Sequence, residues 1–395
     1  MKILLVWKDN YPWDIRVEKM GLALISFGHE VHILARNTKG QVTSEKINGM
    51  NIHRLQPFKN GYINKIASIS VFFNPLWFSN IDQLCRKQKF DIIVIRDLPL
   101  VKAGIKIGRK YGIPTIFDMA EDYPAMWLDV IRDQWYKFHN YFIKNPFLGK
   151  FLEKYCVSHC DHIFVVVKES KMRLLKMGID SKKVTIVSNT PNINKFFITT
   201  EQKICKHWKN RTVLLYQGFV NKSRGLDVVL KALPELAKKK PDILFVVIGD
   251  GKYLAKLKVL SHKLDINNHI LFLGWLDFSK IPDLIQASDI CVIPHYKTNH
   301  KDTTIPNKLF DYMVCGKPVI VSNAKPLKRI VEEENCGVVF QSGNLWSFVQ
   351  SIKNLLENRQ LRMIMGLNGQ KAVKKKYNWH NDSTKLNQAI ERLQR

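Results

Sequence analysis

Short, unbroken apolar runs alternate with segments of helical spacing along this chain, and the scheme is played twice. In the first half the runs are MKILLVW (1–7), HEVHILAR (29–36), FDIIVIRD (90–97), IPTIFD (113–118), CDHIFVVV (160–167) and KVTIVSN (183–189). Helical spacing covers 14–28 and 100–111 and resumes after residue 167. In the second half TVLLYQG (212–218), DILFVVIGDG (242–251), HILFLGW (269–275), DICVIP (289–294) and PVIVS (318–322) are separated by helices at 225–239, 252–264 and 279–287, and by one that Pro306 opens and Gly316 stops. Strands that are apolar throughout must be covered on both faces, so the pattern predicts parallel sheets between helical layers. At 395 residues the chain exceeds one core. The predicted architecture is α/β: two Rossmann-like, doubly wound domains at 1–200 and 206–375, joined by the polar stretch 198–211. The tail supplies a helix at 376–395, with Leu386, Ile390 and Leu393 at helical spacing, to pack back on the first domain.

Charge sets the partners that such a chain can have. Lys and Arg number 62 against 34 Asp and Glu, a net +28, which favours anionic partners: nucleic acid, phospholipid or phosphorylated substrates. The lysines are spread over both halves, so much of the excess is also explained as solvated surface, and no nucleic-acid motif such as an RRM or zinc finger accompanies it. Seven scattered cysteines read as reduced thiols of a cytosolic protein. Mean hydropathy is -0.17. The N-terminal run is too short for a signal peptide and reads as a first strand. No run reaches membrane-spanning length; IASISVFFNPLWFSNI (66–81) comes nearest and reads as a helix under the first sheet rather than a membrane-touching loop. WYKFHNYFIKNPFLGKFLEKY (135–155) interleaves lysines and histidines with aromatics, a composition shared by membrane-interface segments and by helix pairs whose aromatics face a core.

In doubly wound sheets ligands sit beyond the carboxyl ends of the strands, so the residues just after the strands are the candidates. Gly218 and Gly225 permit close turns after 212–217, and Arg224 stands at the start of the next helix, as a diphosphate-binding cation would or as a surface arginine would. Strand 243–248 ends in Gly249-Asp250-Gly251 without the third glycine of a dinucleotide fingerprint, and the first strand is followed by no glycine at all. Both facts disfavour a Rossmann dehydrogenase. Gly274, Trp275 and Leu276 form a loop able to meet a planar base. In TTIPNKLFDYMVCGKPVIVS (303–322), Thr303, Thr304, Ile305, Pro306 and Asn307 lead into a helix whose Leu309, Phe310, Met313 and Val314 form an apolar stripe. Lys308 and Asp311 share a face away from that stripe.

The first half offers acids. Asp118, Glu121 and Asp122 crowd the loop after 113–117; capping accounts for Asp118, and Glu121 is the functional candidate. Asp14 and Arg16, after the first strand, either reach a ligand or pair internally, and Asp97 ends the strand at 90–97. Metal ligands are not expected: Cys156, His159 and Cys160 read as a packed helix end without a second ligand pair, and no Asp-x-Asp occurs.

Taken together, the chain resembles the GT-B glycosyltransferases, and among them the retaining enzymes of glycosyltransferase family 4. The landmarks are GHEVHILAR (28–36), FDMAEDYP (117–124), VSNTPNINKF (187–196), YQGFVNKSRGLD (216–227), VVIGDG (246–251), FLGW (272–275), ASDICVIP (287–294) and PNKLFDYMVCGKPVIVS (306–322). The resemblance implies a deep cleft between two domains, with a UDP- or GDP-sugar held mainly by the second domain, a lipid-linked or saccharide acceptor held mainly by the first, and no metal or other cofactor. Arg224 then matches the second cation that grips the donor diphosphate. Asp311 matches the later acid of the Glu-x7-Glu motif, expected to hold the ribose, and Gly274 to Leu276 match the loop that contacts the base. Three positions depart from the family pattern: Thr303 replaces the first motif glutamate, Phe219 the first cation, and Ala120 the acceptor-side histidine. The same resemblance implies a retaining transfer for bacterial surface polysaccharide or glycolipid, including lipopolysaccharide, by a cytoplasmic enzyme peripheral on the inner face of the membrane. A non-catalytic, sugar-nucleotide-binding partner subunit is the alternative that Thr303 motivates.

Overall fold

Fourteen strands, among the described residues, build two sheets. The first carries β1 (Lys2–Asn10), β2 (Glu30–Arg36), β3 (Ser44–Ile47), β4 (Met50–Arg54), β5 (Ile92–Arg96), β6 (Thr115–Met119), β7 (His162–Val165) and β8 (Val184–Ile186), in the order β3-β4-β2-β1-β5-β6-β7-β8. Only the β3–β4 pair is antiparallel. The second carries β9 (Thr212–Gln217), β10 (Ile243–Ile248), β11 (Ile270–Gly274), β12 (Ile290–Ile293), β13 (Val319–Ser322) and β14 (Gly337–Phe340), all parallel, in the order β11-β10-β9-β12-β13-β14. This computed structural model describes residues 1–394 except 13, 70, 71, 73, 134–140, 142, 143, 194–207 and 209. Both units have the expected doubly wound α/β architecture.

The parallel strands are buried because their side chains leave no polar face. Ile3, Leu4, Leu214, Leu215, Phe245 and Val246 are fully inaccessible, on alternate sides of their sheets. Helices close the faces: Pro75–Lys87, Leu98–Tyr111 and Pro146–His159 pack in sequence against each other in the first unit, and Leu226–Lys239 packs on Leu345–Glu357 in the second.

The chain divides into Met1–Ser188 with His380–Arg395, and Asn189–Trp379. That boundary falls ahead of the one expected at residue 200, and most of the expected linker lies outside the described residues. Helix Trp379–Arg392 buries Leu386 and Ile390, and His29 and Asn387 meet at 2.7 Å within the first unit. The run 66–81 is not one helix: helix Gly61–Ala67 ends within it and helix Pro75–Lys87 begins within it, Asn74 capping the second through the Leu76 N–H. Most of 135–143 lies outside the described residues. The helix after it, Pro146–His159, turns Leu152 inward and leaves Phe147 83% and Phe151 71% exposed beside exposed Lys150 and Lys154, so these two aromatics do not face a core. No helix among the described residues is long and apolar enough to cross a membrane.

Candidate active site

A doubly wound sheet opens a crevice where its strand order reverses. In the second unit that point lies between β9 and β12, and the chain crowds it with glycines. Gly218, directly after β9, has φ +124°, and a Cβ there would stand 2.8 Å from Nζ of Lys308. Gly249, after β10, has φ +132°, and a Cβ there would lie 2.0 Å from the Gly218 carbonyl oxygen. The Gly218 N–H donates to Ile248 O at 2.8 Å and the Gly249 N–H to Gly274 O at 2.7 Å, so three consecutive strand ends are stitched together.

Two cations stand at this point. Lys308, the first residue of helix Lys308–Val314, is buried, and its Nζ lies 3.8 Å from the ring centroid of Tyr216 with no hydrogen-bond partner. Burial, together with the charge of Arg224, pushes its pKa well below the usual lysine value. Arg224 closes a one-turn 3₁₀ helix, Lys222–Arg224, and its Nε is likewise buried and unpartnered. Its Nη1 lies 3.5 Å from Nδ1 and 3.4 Å from Nε2 of His295, the second residue after β12. His295 is fully enclosed; burial, with Arg224 and Lys308 nearby, holds it well below the usual imidazole range and hence neutral. An orphaned, buried cation is costly, and sites that keep one are organised for an anion.

Lys308 and Asp311, expected to share a face away from the apolar stripe, are buried along with Leu309 and Phe310. Oδ2 of Asp311 accepts from Nε2 of Gln217 at 3.1 Å, and the Tyr312 hydroxyl accepts from the Gln217 N–H at 2.9 Å, which fixes the helix to the end of β9. Thr303 spends its hydroxyl locally, donating to His300 O at 2.9 Å. Asp302 accepts the Lys325 N–H at 2.9 Å and faces the ammoniums of Lys297 and Lys325, away from Asp311's partners. Thr304 and Pro306 are half-buried, Ile305 buried and Asn307 exposed. Gly274 has φ +68°, Trp275 is 71% exposed and Leu276 half-buried.

In the first unit the order reverses between β1 and β5. Arg16 grips Asp118 through both Nε (2.9 Å) and Nη2 (2.6 Å), and Arg96 adds a contact to Asp118 at 3.2 Å and to Asp14 at 3.3 Å. Asp118 is therefore a buried member of β6 paired with two arginines, not a helix cap. The capping role falls to Asp122, which accepts the Ala125 N–H at 3.0 Å and pairs with Arg173 at 3.3 Å. Asp14 caps helix Ile15–Ser26 through the Val17 N–H. For Asp14 and Arg16 the internal pairing is what the structure contains. Asp97 has φ +68° and ψ 147°, a region open to little but glycine, and its Oδ1 is buried without a partner while Lys8 stands 3.6 Å from Oδ2. Burial raises its pKa. Glu121 is half-buried beside this cluster in sequence. Cys156 and Cys160 are buried, while His159 points outward with Nδ1 2.8 Å from Tyr155 O, so these three do not converge.

Sequence reading missed His295, Tyr216 and Arg96. His295 comes directly after the DICVIP run, so the rule of looking beyond strand ends would have found it. Arg96 and Tyr216 lie inside apolar runs and read as strand.

Comparison with known proteins gives these positions a context. Residues 15–194 match the family model Glycosyltransferase Family 4, and residues 197–372 match Glycosyl transferases group 1. The chain is 28% identical over 249 residues to the uncharacterized glycosyltransferase MJ1069 of Methanocaldococcus jannaschii, covering 62% of each chain. It therefore spans about three fifths of that relative. It is 22% identical over 319 residues to the UDP-Gal:alpha-D-GlcNAc-diphosphoundecaprenol alpha-1,3-galactosyltransferase of Escherichia coli, covering 75% of this chain and 77% of that one. Sucrose-phosphate synthase from Thermosynechococcus elongatus shares the fold, with a TM-score of 0.80 at 16% identity over 100% of this chain and 99% of that one.

Proposed function

Because the chain belongs to the family 4 glycosyltransferases of GT-B architecture, we propose that it transfers a sugar, with retention at the anomeric carbon, from a nucleoside-diphosphate sugar to a lipid-linked or saccharide acceptor. The observation that carries this reading is the pair of cations at the β9/β12 reversal: Lys308, buried with no hydrogen-bond partner at Nζ, and half-buried Arg224, whose Nε has none. A diphosphate supplies the charge that both lack. As the bond from the anomeric carbon to the phosphate oxygen breaks, negative charge grows on the leaving diphosphate. Cations already in place stabilise that charge more in the transition state than in the ground state. The new bond from the acceptor oxygen forms on the same face, and the acceptor's proton passes to the departing phosphate, so no protein base and no metal is required.

In this reading Asp311, oriented by Gln217, holds the ribose, while Gly274 to Leu276 meet the base. Glu121 and Asp97 contact the acceptor. Arg16, Asp14 and Asp118 shape that side through their own pairing rather than by touching substrate. Support for a lipid-linked acceptor comes from the relative that acts on a diphosphoundecaprenol saccharide and from the outward Phe147 and Phe151 with their lysines. The enzyme then works docked on an anionic membrane surface, on its cytoplasmic side, in surface polysaccharide or glycolipid synthesis.

A thermal-shift screen of UDP- and GDP-sugars tests the donor assignment. The true donor raises Tm by mass action, by the equivalent of about 2.7 kcal/mol at a hundredfold excess over Kd. No shift with any sugar nucleotide overturns it. Hydrolysis of that donor without acceptor separates an enzyme from a partner subunit that only binds.

A further inference from the structure

The two cations are restrained in an unusual way. Enclosed cations are ordinarily fixed by carboxylates, yet Nε of half-buried Arg224 and Nζ of buried Lys308 have no hydrogen-bond partner, and Asp311 acts on Lys308 only through its charge. Each instead lies against a ring. Nζ of Lys308 stands over Tyr216, 3.8 Å from the ring centroid. Nη1 of Arg224 is almost equidistant from the two nitrogens of His295, at 3.5 and 3.4 Å. In the ring plane that position would press it into the Cε1–H, so it lies out of the plane, over the ring, sharing long contacts with both nitrogens. Both rings are themselves fixed: the Tyr216 hydroxyl donates to Phe219 O at 2.8 Å, and the His295 strand end is clamped by Gly225, whose Cβ would meet Pro294 O at 1.9 Å.

We infer that Tyr216 and His295 are positioning residues for the donor diphosphate, holding Lys308 and Arg224 by their ring faces so that neither cation is neutralised before the ligand arrives. This deepens the donor reading of the same site and rests on it. A carboxylate would fix the cations equally well, but it would compete with the incoming phosphate for the same donors. A ring face attracts a cation through its quadrupole and offers the phosphate no competition. His295 serves only while neutral, because an imidazolium would repel Arg224. Tyr216 also lies on the strand whose next residue but two is Phe219, where the family pattern has a cation. One of the two charges therefore comes from Lys308, and Tyr216 is what keeps it at the strand end.

The test is aromatic rescue, read by calorimetric titration with UDP, GDP and inorganic pyrophosphate. Tyr216→Leu and His295→Leu are expected to weaken the tighter nucleotide at least tenfold. Tyr216→Phe and His295→Phe, which keep a ring but lose the hydroxyl or the nitrogens, stay within about threefold of the parent chain. Phenylalanine variants that bind as poorly as the leucine variants, or leucine variants that bind like the parent, overturn the inference. If a leucine variant does not fold, its phenylalanine counterpart decides alone: retained affinity supports the inference and lost affinity overturns it. Pyrophosphate separates the two readings. A parent chain that binds pyrophosphate but neither nucleotide, with the same rescue pattern, defeats the donor assignment and keeps the ring-face role. A parent chain that binds none of the three defeats both.

Discussion

Lys308 shows how far a single residue can be read from sequence. Its spacing from Asp311 and its place after Pro306 marked it as a candidate, but not that both side chains would be enclosed, because burial depends on Tyr216 and Gln217, more than 90 positions away in the chain. The same holds for Asp118, whose partner Arg16 is 102 residues distant. On the proposed function Arg224→Ala removes one of two charges that face the leaving group, and turnover is expected to fall by about 10²–10³, measured with the donor that the thermal screen identifies; near-normal turnover contradicts the assignment. Burial and Arg224 hold the Lys308 pKa well below the usual lysine value, and on the proposed function a diphosphate filling the site raises it again. Lys308 is charged in the empty site below its lowered pKa; once pH is raised past that value, binding takes up a proton and affinity weakens. Titrations in two buffers of different ionisation enthalpy should give different apparent heats, and identical heats would rule this out.

Among the elements, the central strands were legible because a run apolar on both faces has few other places to go. The edges were not. β3 and β4 are short, half-polar and joined by Asn48-Gly49, both with φ above zero, a hairpin signal that apolar runs alone do not reveal. The helices Lys325–Glu333, Leu345–Glu357 and Arg359–Lys375 were also missed, since none of them supplies a candidate site residue. The strand ends supply the prediction here. Gly249→Ala places a Cβ 2.0 Å from the Gly218 carbonyl in a backbone region that side chains rarely adopt. A loss of about 3 kcal/mol or more in denaturant unfolding is expected, with nucleotide binding impaired because the Gly218 loop must move. Unchanged stability would mean that the strand ends are stitched more loosely than their hydrogen bonds imply.

For the whole molecule, the two-unit organisation could be read from the repeat of the pattern, but the boundary could not, because no composition shift marks Ser188. The net charge of +28 becomes specific only with the structure, which sets Phe147 and Phe151 outward among lysines on one helix. Inserting a phenylalanine is worth about 1.5–3 kcal/mol and each lysine near an anionic surface about 1 kcal/mol. Co-sedimentation with phosphatidylglycerol vesicles should accordingly be strong at low salt, fall as salt is raised, and be cut by replacing both phenylalanines with serine. Equal binding to neutral vesicles would refute the electrostatic part. The path of the chain carries one more consequence. Residues 189–379 leave the first unit and return to it, and the Trp379 N–H donates to Pro191 O at 2.9 Å, so both crossings lie side by side. The second unit is in effect an insert whose ends already touch: a single nick cannot free it, whereas excising it between those neighbouring crossings should give a self-contained module with termini close enough to be spliced into another host.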